Sequence, residues 1–80
     1  MSELDLKGLK CPLPALRTAR RLAAMAPGEA LVVLADDPMA VIDIPHLCAE
    51  RGHRLEEVTR TGDVLRFAIV VENVASDRTD

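Results

Sequence analysis

Aromatic residues are almost missing from this 80-residue chain. It has one phenylalanine, Phe67, and neither tryptophan nor tyrosine. Nucleic-acid recognition by stacking bases on aromatic side chains is therefore poorly supported. A formal net charge of −3 also argues against a general nucleic-acid binder. No apolar run approaches the ~18 residues a membrane helix needs, and the N-terminus lacks the apolar core of a signal peptide. A soluble, cytoplasmic protein that meets no membrane is expected. There are only two cysteines, Cys11 and Cys48, and in a reducing compartment such a pair stays as free thiols. Cys11, His46, Cys48 and His53 form no recognised metal-ligand spacing, and no cofactor motif is present, so neither a metal nor a cofactor is expected. Repeats, linkers and low-complexity stretches are absent as well, and 80 residues suffice for one small domain.

Hydrophobic residues make up 49% of the chain, ample for a core. Charge is unevenly spread. Residues 1–35 hold five cations against three acids, a balance of +2, and residues 36–80 hold five arginines against ten acids, a balance of −5. The positive segment surrounds the most informative stretch, Cys11-Pro12-Leu13-Pro14.

Proline is well tolerated only in the first helical turn, where the N–H it lacks has no partner anyway. Pro12 near N1 and Pro14 near N3 would then start a helix and place Cys11 near its N-cap. Leu16, Ala19, Leu22, Ala23 and Ala26 fall on one side of that helix, and Arg17, Arg20 and Arg21 on the other. A helix N-terminus presents free N–H groups and partial positive charge, which lowers a thiol pKa. The Leu13 N–H would donate to the sulfur, because Pro14 has none to give, and Lys7, Lys10 or Arg17 would add charge. Cys11 thus reads as a solvent-facing, partly ionised nucleophile on a rigid mount. Burial is the commoner fate of a free cysteine, but the preceding Lys10 and the helix start argue against it here. The arginines read either as a solvated face or as a docking surface for an acidic partner.

Alternation predicts a strand at about 3–7, and helix 1 spans about 12–25, ended by Pro27-Gly28. The run Ala-Leu-Val-Val-Leu-Ala at 30–35 has central-strand length. Asp36-Asp37-Pro38 signals a second helix with an acidic N-cap and proline at N1. Val41, Ile44, Leu47 and Cys48 repeat at helical spacing, so Cys48 belongs in the core. Pro45 would kink that helix, or restart it with Asp43 as cap. Arg51-Gly52-His53 ends it, and His46 is placed at the surface. A charged edge strand at 54–60, a turn at Thr61-Gly62-Asp63 and a strand at 64–71 complete the domain, assigned to residues 1–72. The polar tail, 73–80, is expected to be disordered. The order βαβαββ predicts an α+β fold: a two-layer sandwich of a mixed four-stranded sheet with two helices on one face. The right-handed crossover rule puts both helices on the same side if the first two strands run parallel.

The stretch Leu6 to Pro14 resembles the opening of the TusA/SirA-like family of small sulfur-carrier proteins. The similarity continues through Asp36-Asp37-Pro38, Asp43-Ile44-Pro45, Cys48, Gly52-His53 and the final hairpin, covering about residues 4–71. The resemblance implies the same sandwich fold and a sulfur relay. Cys11 would accept persulfide sulfur from a cysteine desulfurase or rhodanese-like donor and pass it to a protein acceptor, in some members towards tRNA thiolation or sulfur metabolism. Pro12 and Pro14 would set its geometry, with Leu13 and Lys10 in support and Arg17, Arg20 and Arg21 available for partner docking. Family members often carry lysine where this chain has those arginines. A monomer acting with partner enzymes is expected, with no direct contact to nucleic acid. The alternative from another class is a redox-sensing or regulatory module, which a reversible Cys11–Cys48 disulfide would favour.

Overall fold

A computed structural model describes residues 2–72. The tail expected at 73–80 lies outside the described residues. The elements follow as β1 (Ser2–Asp5), α1 (Leu13–Ala23), β2 (Ala30–Ala35), α2 (Ala40–Arg51), β3 (Arg54–Thr61) and β4 (Val64–Val70). The sheet order is β1-β2-β4-β3. β1 runs parallel to β2, and β4 runs antiparallel to both β2 and β3. A two-residue connection around Gly62, with φ of 61°, closes the β3–β4 hairpin, as a tight hairpin turn requires.

Period-two alternation divides the central strands between two faces. Leu31, Val33 and Ala35 of β2 and Leu65, Phe67 and Ile69 of β4 point to one face, where they join Leu22 of α1 and Ala40, Ile44 and Cys48 of α2 in a single core. Both helices therefore cover the same face of the sheet, and the chain is the expected α+β sandwich. Phe67, the lone aromatic, is wholly buried at its centre.

The helix faces differ from the sequence reading. In α1 the buried residues are Pro14, Thr18 and Leu22, whereas Leu16, Ala23 and Ala26 are exposed. The buried stripe is an i, i+4, i+8 row, and it runs through a threonine that hydropathy assigns to the polar side. Thr18 buries its whole side chain, and its hydroxyl finds no hydrogen-bond partner among the described residues. In α2 the row is Ala40, Ile44, Leu47 and Cys48, leaving Val41 outside at 47% exposure.

α2 also begins at Ala40 rather than at Pro38, after a turn in which Asp37 accepts from the Met39 N–H and the Ala40 N–H. It neither breaks nor restarts at Pro45. Helix packing against the sheet compensates the one backbone hydrogen bond that Pro45 withholds. Gly52 ends the helix in the left-handed region, at φ 78°. Strand β1 stops at Asp5, whose side chain takes the Lys7 N–H at 3.0 Å and turns the chain away from the sheet. Among the described residues no helix is long and apolar enough to cross a membrane.

Candidate functional site around Cys11

In an α/β layer, ligands and reactive groups gather where parallel strands end and helices begin. Here β1 and β2 end together, at Asp5 and Ala35, and the starts of α1 and α2 lie beyond them. The loop from Leu6 to Pro12 crosses this edge. Leu6 is buried in the core, Leu9 packs partly against it, and Gly8 takes a φ of 91° between them. Two acids at the end of β2 tie the loop down: Asp36 accepts the Gly8 N–H at 2.9 Å, and Asp37 accepts the Cys11 N–H. Asp37 is only 7% exposed, and its second oxygen takes the Met39 N–H at 3.2 Å. These two backbone N–H groups hold its carboxyl below the ordinary carboxylate range, the Cys11 contact contributing most.

Cys11 itself is exposed and unpaired. It sits one residue before the N-cap, because the helix starts at Leu13 with Pro12 as cap and Pro14 in second place. The Leu13 N–H donates to the Lys10 carbonyl at 2.8 Å, and the Leu16 N–H to the Pro12 carbonyl at 3.1 Å. The sulfur therefore receives no donor from α1. Instead, Cys11 Sγ donates to Asp43 Oδ2 at 3.1 Å, from the first turn of α2. That contact, followed by desolvation and the negative charges of Asp43 and Asp37, pushes the Cys11 thiol up from its ordinary value. The depressed pKa expected from the helix start is thus overturned. The decisive neighbours are carboxylates from the other helix. Lys10 is exposed, and its charge acts on Asp37. The resting Cys11 is a held thiol, not a bare thiolate.

The arginines separate. Arg17 and Arg20 are exposed and, with Leu13 and Leu16, line a shallow surface hollow of about 380 Å³ along α1. Arg21 is half-buried on the flank. Leu13 and Leu16 are 40% and 59% exposed, and at the start of α2 Met39, Val41 and Ile42 are exposed too, so large apolar side chains stand out from the first turns of both helices. Cys48, in contrast, is 1% exposed, and burial raises its thiol to about 11. His53 accepts the Glu72 N–H at Nδ1, its own backbone N–H donates to the Cys48 carbonyl at 2.8 Å, and burial lowers its pKa. Among the described residues, no three His, Cys, Asp or Glu side chains group as a metal would need. Asp37 and Asp43 were absent from the site assigned by sequence. Their only signal was their place in two short motifs, Asp36-Asp37-Pro38 and Asp43-Ile44-Pro45.

A family profile described as sulfurtransferase TusA matches residues 2–71. The chain belongs to the TusA family. Two similar proteins come from Neisseria meningitidis, serogroups A and B. Each is 43% identical over 70 residues, covering 88% of this chain and 92% of its own. The sulfur carrier protein TusA of Allochromatium vinosum is 42% identical over 67 residues, covering 84% of this chain and 88% of its own. The crystal structure of a SirA-like protein from Desulfitobacterium hafniense superposes with a TM-score of 0.79. It covers 91% of this chain and 100% of the other, and at 24% identity it shows the fold alone. The TusA assignment thus spans nearly every described residue, the Cys11 loop and both acidic motifs included.

Proposed function

We propose that this protein is a sulfur carrier and that Cys11 is the residue that holds the sulfur. The observation that carries the reading is the contrast between the two thiols. Cys11 is exposed on a loop pinned at Gly8 and at its own backbone N–H, and Cys48 is closed into the core. The names of the similar proteins support the same activity, as does family membership.

The chemistry is thiol exchange. A Cys11 thiolate attacks the outer sulfur of a donor persulfide, R–S–SH. A new S–S bond forms at Cys11, the donor's S–S bond breaks, and the donor leaves as R–S⁻. Repetition at an acceptor thiol empties the carrier. Only an accessible thiol and a docking face are needed, so the chain works with a partner persulfide donor, such as a cysteine desulfurase or rhodanese-like protein, and a protein acceptor. Arg17 and Arg20, mixed with exposed Leu13 and Leu16, suit a partner face that is acidic and apolar. Two free thiols fit a reducing, cytoplasmic setting. Nothing in the geometry favours a regulatory Cys11–Cys48 disulfide. The partner of Cys11 lies at position 43, and Cys48 follows five residues later, about 7.5 Å along the helix axis.

The test is a hand-over experiment. Carrier loaded by a desulfurase and cysteine, then freed of both, is mixed with an acceptor protein, and the sulfur on each is followed by intact mass. Loss from the carrier matched by gain on an acceptor is expected. Loading that cannot be discharged to any thiol acceptor would refute the relay.

A further inference from the structure

Asp43 has no part in the exchange chemistry as written, yet it accepts a hydrogen bond from the reacting sulfur, with Oδ2 at 3.1 Å from Sγ. An ionised carboxylate can only accept hydrogen bonds. The contact therefore exists only while Sγ carries a proton. The charged groups acting on that sulfur are Asp43, from α2, and Asp37, from the turn before it. The cations of the neighbouring segments, Lys10 and Arg17, are exposed to solvent.

Loading changes the sulfur that Asp43 faces. In Cys11–S–SH the inner sulfur has no proton. It presents lone pairs to the carboxylate, and the acidic S–H lies one S–S bond, about 2.05 Å, further out. We propose that Asp43 is a positioning residue that favours the empty carrier: it holds the Cys11 thiol by its proton and loses that hold when sulfur is loaded. The inference rests on Cys11 being the sulfur-bearing residue. The balanced step is Cys11–SH + R–S–SH ⇌ Cys11–S–SH + R–SH. One S–S bond breaks, one forms, and the proton released from Cys11 ends on the departing R–S⁻. Asp43 stabilises the left side only, so a loaded carrier is disposed to give its sulfur away, as a relay requires and a store does not.

The test equilibrates Cys48→Ala protein, with and without Asp43→Asn, against fixed ratios of glutathione persulfide and glutathione, and reads the loaded fraction by intact mass. Asparagine keeps the shape and removes the charge, and its amide N–H can donate to an unprotonated sulfur. Circular dichroism first establishes that each variant is folded. The loaded-to-empty ratio is expected to rise several-fold in Asp43→Asn, and the pH midpoint of Cys11 alkylation in the unloaded protein is expected to fall. Asp43→Glu, which restores the charge, should return both towards the parent. A structural role alone would move neither the ratio nor the midpoint in this paired fashion. If the parent loads and Asp43→Asn leaves ratio and midpoint unchanged, the proposal fails at Asp43. A parent that takes up no sulfur at any ratio, with the midpoint still shifted, overturns it through the carrier reading instead.

Discussion

Alkylation of the native protein should separate the two cysteines by orders of magnitude. Cys48 has two routes to reaction. In the folded state its thiol, raised to about 11, is ionised in only about one molecule in 10³ at pH 8, and the side chain is 1% exposed. A free cysteine, with a pKa of about 8.5, is ionised in about one molecule in four at that pH. The alternative route is unfolding. At roughly 0.05–0.15 kcal/mol per residue, this 80-residue chain has a stability of about 4–12 kcal/mol, so the unfolded fraction is about 10⁻³ or less. Either route leaves Cys48 at least ~10²-fold slower than an unstructured cysteine. Cys11 is exposed, but its proton is held by Asp43, so it should react more slowly than a free peptide cysteine at pH 8 and far faster than Cys48. Iodoacetamide labelling over time, read by peptide mass spectrometry beside a reference peptide, measures all three rates. Denaturing urea should bring both cysteines to the reference rate. Equal labelling of Cys11 and Cys48 in native buffer would refute the burial argument. Labelling of Cys11 faster than the reference would refute the assigned electrostatics.

Other perturbations test the docking face, the core and the clamp on the loop. Arg17→Glu with Arg20→Glu should slow sulfur transfer from the donor, and the parent rate should fall with added salt; unchanged rates at low salt in a folded double variant would leave these arginines merely solvated. Phe67→Ala empties the wholly buried centre of the core and should cost about 3–5 kcal/mol in urea unfolding, a large share of the total; a loss below about 1 kcal/mol would mean the core is not arranged around it. Because Asp37 titrates below its ordinary value in the folded state, its stabilisation is complete above about pH 4 and is lost as pH falls through the lowered value. Urea midpoints across the acid range should therefore depend less steeply on pH in Asp37→Asn, and parallel curves would show that its carboxylate is not engaged.

The fold was legible because pattern and topology rules pointed one way. The apolar run at 30–35 and the alternation through Leu65, Phe67 and Ile69 mark strands that the structure places at the sheet centre. Two prolines marked the start of α1 to within one residue. The orientation of α1 was less legible. Hydropathy favours Leu16 over Thr18 as a core residue, and only packing against α2 and the sheet reverses them. The electrostatics of Cys11 were misread for a related reason. Sequence neighbours suggested Lys10 and a helix N–H, but the sulfur faces position 43, 32 residues away, and charge partners that distant cannot be read from spacing. The acidic N-cap read at Asp36-Asp37 does not form: Met39 takes the N-cap position with no side-chain cap bond, Asp36 holds the Gly8 N–H, and Asp37 holds the N–H groups of Cys11 and Met39.

The central claim is that sulfur resides on Cys11 and nowhere else in this chain. Its most direct measurement is intact mass after incubation with a cysteine desulfurase and cysteine, made on the parent, Cys11→Ser and Cys48→Ala. One added sulfur atom is predicted on the parent and on Cys48→Ala, removable by a thiol reductant, with none on Cys11→Ser. Sulfur still acquired by folded Cys11→Ser, or lost entirely from folded Cys48→Ala, would contradict the account.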